Sequence, residues 1–210
     1  MSGDTRAIPV APVLGDEDLA RRDWYLLLAR LFREPPDAAV LSAVAAAGPA
    51  EPPGSDAPDL VRAFAELALA CGQSDPESVR QEFDAAFLGV GKAEVFLNAS
   101  WHLTGFLNDR PLVELRDCLA DLGLARREDI GETEDHIAAL CETMALLIGS
   151  QDPRLASVDT QREFFQRFLA PWFDSLCDAI ERSGSTDFYK HAARAARAFL
   201  AVERQAFDFE

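Results

Sequence analysis

Several things are scarce in this chain of 210 residues. No apolar run approaches the ~20 residues needed to cross a bilayer, so stable membrane insertion is not expected. Val, Ile and Tyr are sparse while Ala is abundant, a balance that favours helix over sheet. No segment alternates with period two, and no internal repeat is found. The four cysteines, Cys71, Cys118, Cys141 and Cys177, stand far apart and form no CxxC pair. They are expected as buried free thiols in a reducing compartment, not as a zinc site or disulfide framework. Basic residues are outnumbered 36 to 20, for a net charge of -16. That charge argues against nucleic acid and against anionic membranes. It suits a basic partner, and it equally suits simple solubility. The opening stretch MSGDTRAIPVAPVLGDED lacks the charged-then-apolar order of a secretion signal, so a cytoplasmic protein is expected.

Hydrophobic residues make up 49% of the chain, enough for a sizeable core. They recur at helical spacing. Residues 1–15 read as a flexible tail, and 16–210 as one all-α domain of about 8–10 helices, with a connector near 124–136. Asp16 is expected to cap a helix carrying Leu19, Trp24, Leu27, Leu28 and Leu31, which Pro35 and Pro36 end. Short helices follow over Asp37–Ala47 and Asp59–Cys71, the second closed by Gly72. Asp75-Pro76 starts another, with Val79, Phe83, Ala86 and Phe87 inward. Ser100–Leu107 reads as one or two turns. Pro111 opens a helix closed by Gly123. Thr133 or Asp135 is expected to cap the cleanest helix, with Ile137, Leu140, Cys141, Met144, Leu147 and Ile148 on one face. Helices over Asp159–Leu169, Trp172–Ile180 and from Asp187 onward complete the set.

Three stretches invite a functional reading. In FLGVGKAEV, Gly89, Gly91 and Lys92 faintly suggest a phosphate loop. Ala93 stands where Ser or Thr is needed, and a helix precedes instead of a strand. In GETEDHIAAL, Glu132, Glu134, Asp135 and His136 crowd a helix start. There is no second histidine at metal-binding spacing, so neither a zinc protease nor any metal or cofactor is expected. Local chemistry leaves helix capping first, partner binding second and acid–base catalysis by Asp135 and His136 third. In NASWHLTG, Trp101 and Leu103 could wall a groove, with Ser100 and Thr104 as hydrogen-bond donors. Tyr25 could line it as well, although the first helix also needs core residues.

The order of these motifs resembles the TorD/DmsD family of redox-enzyme maturation chaperones. The family signature reads roughly E-P-x-D-H-[IL]-[AG] followed by E-x-M. Here it stands as Glu132-Thr133-Glu134-Asp135-His136-Ile137-Ala138, with Glu142 and Met144 downstream. YLLLARLFREPPD, EFDAAFLGVGKAEVFLNAS, GFLNDRPLVELRDCLADLGL and FFQRFLAPW match other family blocks in order, over about residues 18–205. Thr133 replaces the usual proline of the signature. Phe168 replaces a frequent histidine, so no role for that histidine carries over.

The resemblance implies a TorD-like all-α fold, with N- and C-terminal helical parts joined near the signature. It implies a cytoplasmic chaperone, not an enzyme. Its partner would be a molybdoenzyme precursor, held, often at its twin-arginine signal peptide, for cofactor insertion. The client could be a formate dehydrogenase or a dimethyl sulfoxide, trimethylamine N-oxide or nitrate reductase, and the LTGFLNDRPLVELR block leans to the first. Glu132, Glu134 and Asp135 would face the arginines, His136 would steady the connector or bond peptide backbone, and Ser100, Trp101, Thr104 and Tyr25 would line the groove. The rivals are a helical scaffold that binds only mature enzyme and a small hydrolase using Asp135 and His136. Either a monomer or a dimer fits the sequence.

Overall fold

A computed structural model describes residues 14–89, 93–125 and 131–209. The expected tail falls mostly outside these residues, as do Gly91 and Lys92 of the glycine-bearing loop and the middle of the connector. Among the described residues there are ten α-helices, one π-helical turn and no β-strand. A single antiparallel bridge pairs Asn98 with His136. No helix among these residues is long and apolar enough to cross a membrane.

The helices begin and end for identifiable reasons. α1 (Asp16–Arg33) has three acids in its first turn and Arg30 and Arg33 in its last, both favourable to the helix dipole. Gly15, not Asp16, is its N-cap residue, and no side chain caps it. α2 (Ala38–Ala47) is capped by the Asp37 side chain, which accepts from the Val40 amide. α3 (Asp59–Gln73) runs through Gly72 instead of stopping there. At Gly48 a Cβ would come within 2.5 Å of the Ala68 Cβ, so glycine lets the end of α2 close on α3.

α4 (Pro76–Phe83), capped by Asp75, leads into the π-helical turn Asp84–Leu88. The sequence pattern gives one helix here. In the structure the wider winding keeps Phe83 and Phe87 packed edge-on at 5.1 Å, and both meet Tyr189. α5 (Ala99–Thr104) ends at Gly105, whose φ of +81° is the left-handed conformation that spares glycine a steric cost. α6 (Arg110–Asp121) and α7 (Ile137–Gly149) flank the connector. α8 (Val158–Phe168), α9 (Phe173–Arg182) and α10 (Phe188–Phe209) complete the chain.

The buried residues form one core shared by both halves. α7 is its axis, with Ile137, Leu140, Cys141, Met144, Leu147 and Ile148 all nearly inaccessible. It packs along α1, while α10 packs on α3 and α9. This packing presents the start of α7, the end of α6 and the end of α1 together at one surface.

Candidate functional site

At that surface, Asp135 turns inward. It is 1% exposed. Its Oδ2 accepts from the Ser100 amide at 2.9 Å and the Ser100 hydroxyl at 2.5 Å. Its Oδ1 accepts from the Thr133 hydroxyl at 2.5 Å and from Asn98 Nδ2 at 3.2 Å. Burial pushes the carboxyl up, but these hydrogen bonds outweigh it and hold the group below its ordinary value. With four donors around one carboxylate, no acceptor position remains for a guanidinium. Backbone bonds close the same knot: the Ala99 amide donates to Asp135 O, and the Ile137 amide to Leu97 O.

His136 is the N-cap residue of α7, displacing the expected Thr133 and Asp135. Its Nδ1 accepts from the Ala138 amide at 3.2 Å, which places the ring proton on Nε2. Burial lowers its pKa to about 4, with Glu132 and Asp135 opposing and Arg33 assisting. Ser100 gives its hydroxyl to Asp135, not to His136, and is fully buried, so no serine–histidine pair opens to a substrate here. Among the described residues no group of His, Cys, Asp and Glu could hold a metal ion.

Around the knot, Glu132 is partly open to solvent and Glu134 is mostly covered, and a groove of about 250 Å³ opens beside them. Its apolar floor comes from Leu119 of α6, Leu124 and Ala125 after it, and Ala139 and Leu146 of α7. Glu132, Glu134 and Glu142 carry the acidic rim. Leu146 is 46% exposed, an open apolar side chain at the edge of this floor. Arg33, from the last turn of α1, reaches into the rim. Its Nε donates to Glu142 Oε1 at 3.1 Å, its Nη2 lies 2.6 Å from Glu142 Oε2, and its Nη1 is 3.8 Å from Glu132 Oε2. On the other side Arg116 of α6 donates to Glu134 Oε2 through Nε at 3.0 Å and Nη2 at 2.9 Å.

The remaining expected residues lie elsewhere. Tyr25 is fully buried and cannot line a surface groove; its hydroxyl donates to Glu203 at 2.9 Å. Ser100, Asp135 and His136 are likewise buried, at 0%, 1% and 8% exposure, with their polar atoms bonded within the framework. Trp101 is half-buried against Phe96, ring centres 4.2 Å apart. Thr104 is exposed but donates back to Ser100 O at 2.9 Å. Neither lines the acid-rimmed groove, and Leu103 opens instead onto a smaller hollow beside Phe168. His102, unassigned from sequence, donates from Nε2 to Phe96 O and accepts from Ser175, tying α5 to α9. Arg33 and Leu146 also escaped the sequence reading. Glu142 and Leu146 are one helical turn apart on the outer face of α7, and that spacing was the available signal.

A model of the family described as nitrate reductase delta subunit matches residues 54–178. Proteins named Chaperone protein TorD are also similar. The one from Aliivibrio fischeri is 31% identical over 137 residues, 59% of this chain and 63% of that one. The one from Vibrio cholerae serotype O1 is 26% identical over 110 residues, 50% of each chain. The one from Photobacterium profundum is 25% identical over 130 residues, 58% of this chain and 60% of its own. The chain thus spans about half to three-fifths of the length of the curated relatives it matches.

Proposed function

Because the chain belongs to the nitrate reductase delta subunit family, we propose that it is a cytoplasmic chaperone for a molybdenum-dependent oxidoreductase. It binds the enzyme precursor at its twin-arginine signal peptide and holds it while the molybdenum cofactor is inserted. It does so by binding, without turnover. Nitrate reductase, trimethylamine N-oxide or dimethyl sulfoxide reductase, and formate dehydrogenase precursors are the candidate clients.

The observation that carries this reading is the pairing of an apolar floor with a glutamate rim in one groove. A signal peptide offers the same two chemistries in sequence, an arginine pair and then an apolar stretch. Carboxylates accept bidentate bonds from guanidinium groups. Exposed pairs of this kind contribute only ~0–1 kcal/mol each, so most of the affinity falls to the floor. The net charge of -16 speeds encounter with a basic segment, and that rate should fall with salt.

Calorimetry with a panel of twin-arginine signal peptides, each with its twin-lysine control, tests the proposal. One peptide should bind the parent protein, and Leu146→Asp should weaken it at least about tenfold while leaving the thermal melt in place, because Leu146 is already half open to solvent. Absence of binding by every peptide would overturn the signal-peptide reading and favour a scaffold for mature enzyme.

A further inference from the structure

The groove's rim is already occupied by arginine. Arg33 enters from α1 and rests on Glu142, with Glu132 beyond it. Arg116 enters from α6 and rests on Glu134 through two nitrogens. Three glutamates of the rim thus engage two guanidinium groups belonging to the chain itself. The fit on Arg33 is incomplete. Its Nη2 is buried and sits 2.6 Å from a carboxylate oxygen, yet makes no aligned hydrogen bond. Glu132 remains 3.8 Å away, too far for a direct bond.

Resting on the reading of this groove as a signal-peptide site, we infer that Arg33 and Arg116 are resident stand-ins for the client's arginine pair, and that binding is an exchange of guanidinium groups. The client's arginines take the glutamates, and the chain's own arginines swing out to solvent. Both ends of the exchange are guanidinium–carboxylate pairs of the same kind, so what one arginine gives up another can restore. The Arg33 and Arg116 side chains are 23% and 51% exposed, so each reaches solvent from where it rests, Arg116 more freely than Arg33.

The exchange also explains how such a site would prefer arginine to lysine. An ammonium is a point charge and cannot return the two-nitrogen grip that a departing Arg116 gives up. Displacing a resident arginine with lysine therefore loses bonds, whereas displacing it with arginine conserves them.

The test compares the parent with Arg33→Gln, Arg116→Gln and the double variant, using twin-arginine and twin-lysine peptides by calorimetry. Arg80→Gln is the charge-matched control, since Arg80 of α4 pairs with Glu77 of the same helix and Asp84 of the π-helical turn, away from the groove. Each single variant should bind the twin-arginine peptide about two- to fivefold tighter, and the double variant by roughly the product. The preference for arginine over lysine should shrink in the double variant, because the bonds that Arg33 and Arg116 give are no longer there to be displaced. A general increase in negative charge would instead tighten both peptides equally, and Arg80→Gln would then do the same. That result overturns the exchange, as does unchanged or weaker binding by the Arg33 and Arg116 variants while the parent binds. If neither parent nor variants take up any arginine peptide, the signal-peptide reading fails and the exchange with it.

Discussion

Asp135 and Ser100, 35 residues apart, share two hydrogen bonds, one from the serine amide and one from its hydroxyl, to the same carboxylate oxygen. The contact joins the start of α5 to the start of α7 inside the protein. Bonds to a buried charge are worth roughly 1.5–3 kcal/mol each, and orphaned partners add to the loss. Asp135→Ala should therefore destabilise the protein by about 3–5 kcal/mol, read from urea unfolding. At this chain length the melting temperature should drop by roughly 10 °C. A shift under a degree or two would show that the knot is not structural. Any loss of peptide binding in this variant should track the loss of folded protein.

His136 sets a pH dependence. The folded pKa of about 4 lies below the ordinary 6.5. Between those values the unfolded chain takes up a proton that the folded chain refuses. Stability from this group is therefore complete above about pH 6.5 and is lost as pH falls toward 4. A gap of that size amounts to on the order of 3 kcal/mol. His136→Asn keeps a capping side chain without a titrating ring. It should flatten the stability profile between pH 6.5 and 4, measured by urea unfolding at stepped pH. A variant profile as steep as the parent's would sink the assignment. Asp135, held below its ordinary 3.8, loses its contribution only in stronger acid.

Glu203 is the third test. It is 2% exposed and accepts from Arg21 Nε at 2.7 Å, Arg21 Nη2 at 3.0 Å and the Tyr25 hydroxyl at 2.9 Å. Removing one member of a buried ion pair leaves the other uncompensated. Glu203→Ala should cost about 3–5 kcal/mol, and Tyr25→Phe, which deletes one bond of three, about 1 kcal/mol. Equal losses in the two variants would refute the ranking.

The helices were legible because apolar residues recur at 3.6-residue spacing and because Asp37 and Asp75 stand where caps are needed. The cap of α7 was not. Local pattern favoured Thr133 or Asp135, but residues 97–100 draw Asp135 away through a contact invisible from its own neighbourhood. That leaves His136 to meet the first free amide. The groove was half legible for the same reason. Glu132 and Glu134 lie in the conspicuous stretch, while Arg33 arrives from about a hundred residues upstream. Tyr25 shows the limit of periodicity in another way. Spacing identifies an inward face, but only the buried partner, Glu203, explains why that face carries a hydroxyl.

The antiparallel pairing of α1 with α10 has a mechanical consequence. One fastener is the Glu203 carboxylate on Arg21 and Tyr25. Another is the Tyr189 hydroxyl donating to Leu31 O at 3.2 Å. Along α10 these points are roughly 21 Å apart at 1.5 Å per residue. Sliding one helix past the other by a single turn would strand a carboxylate and a tyrosine in the core at once. The two fasteners therefore fix the register of α1 against α10 at both ends of their crossing.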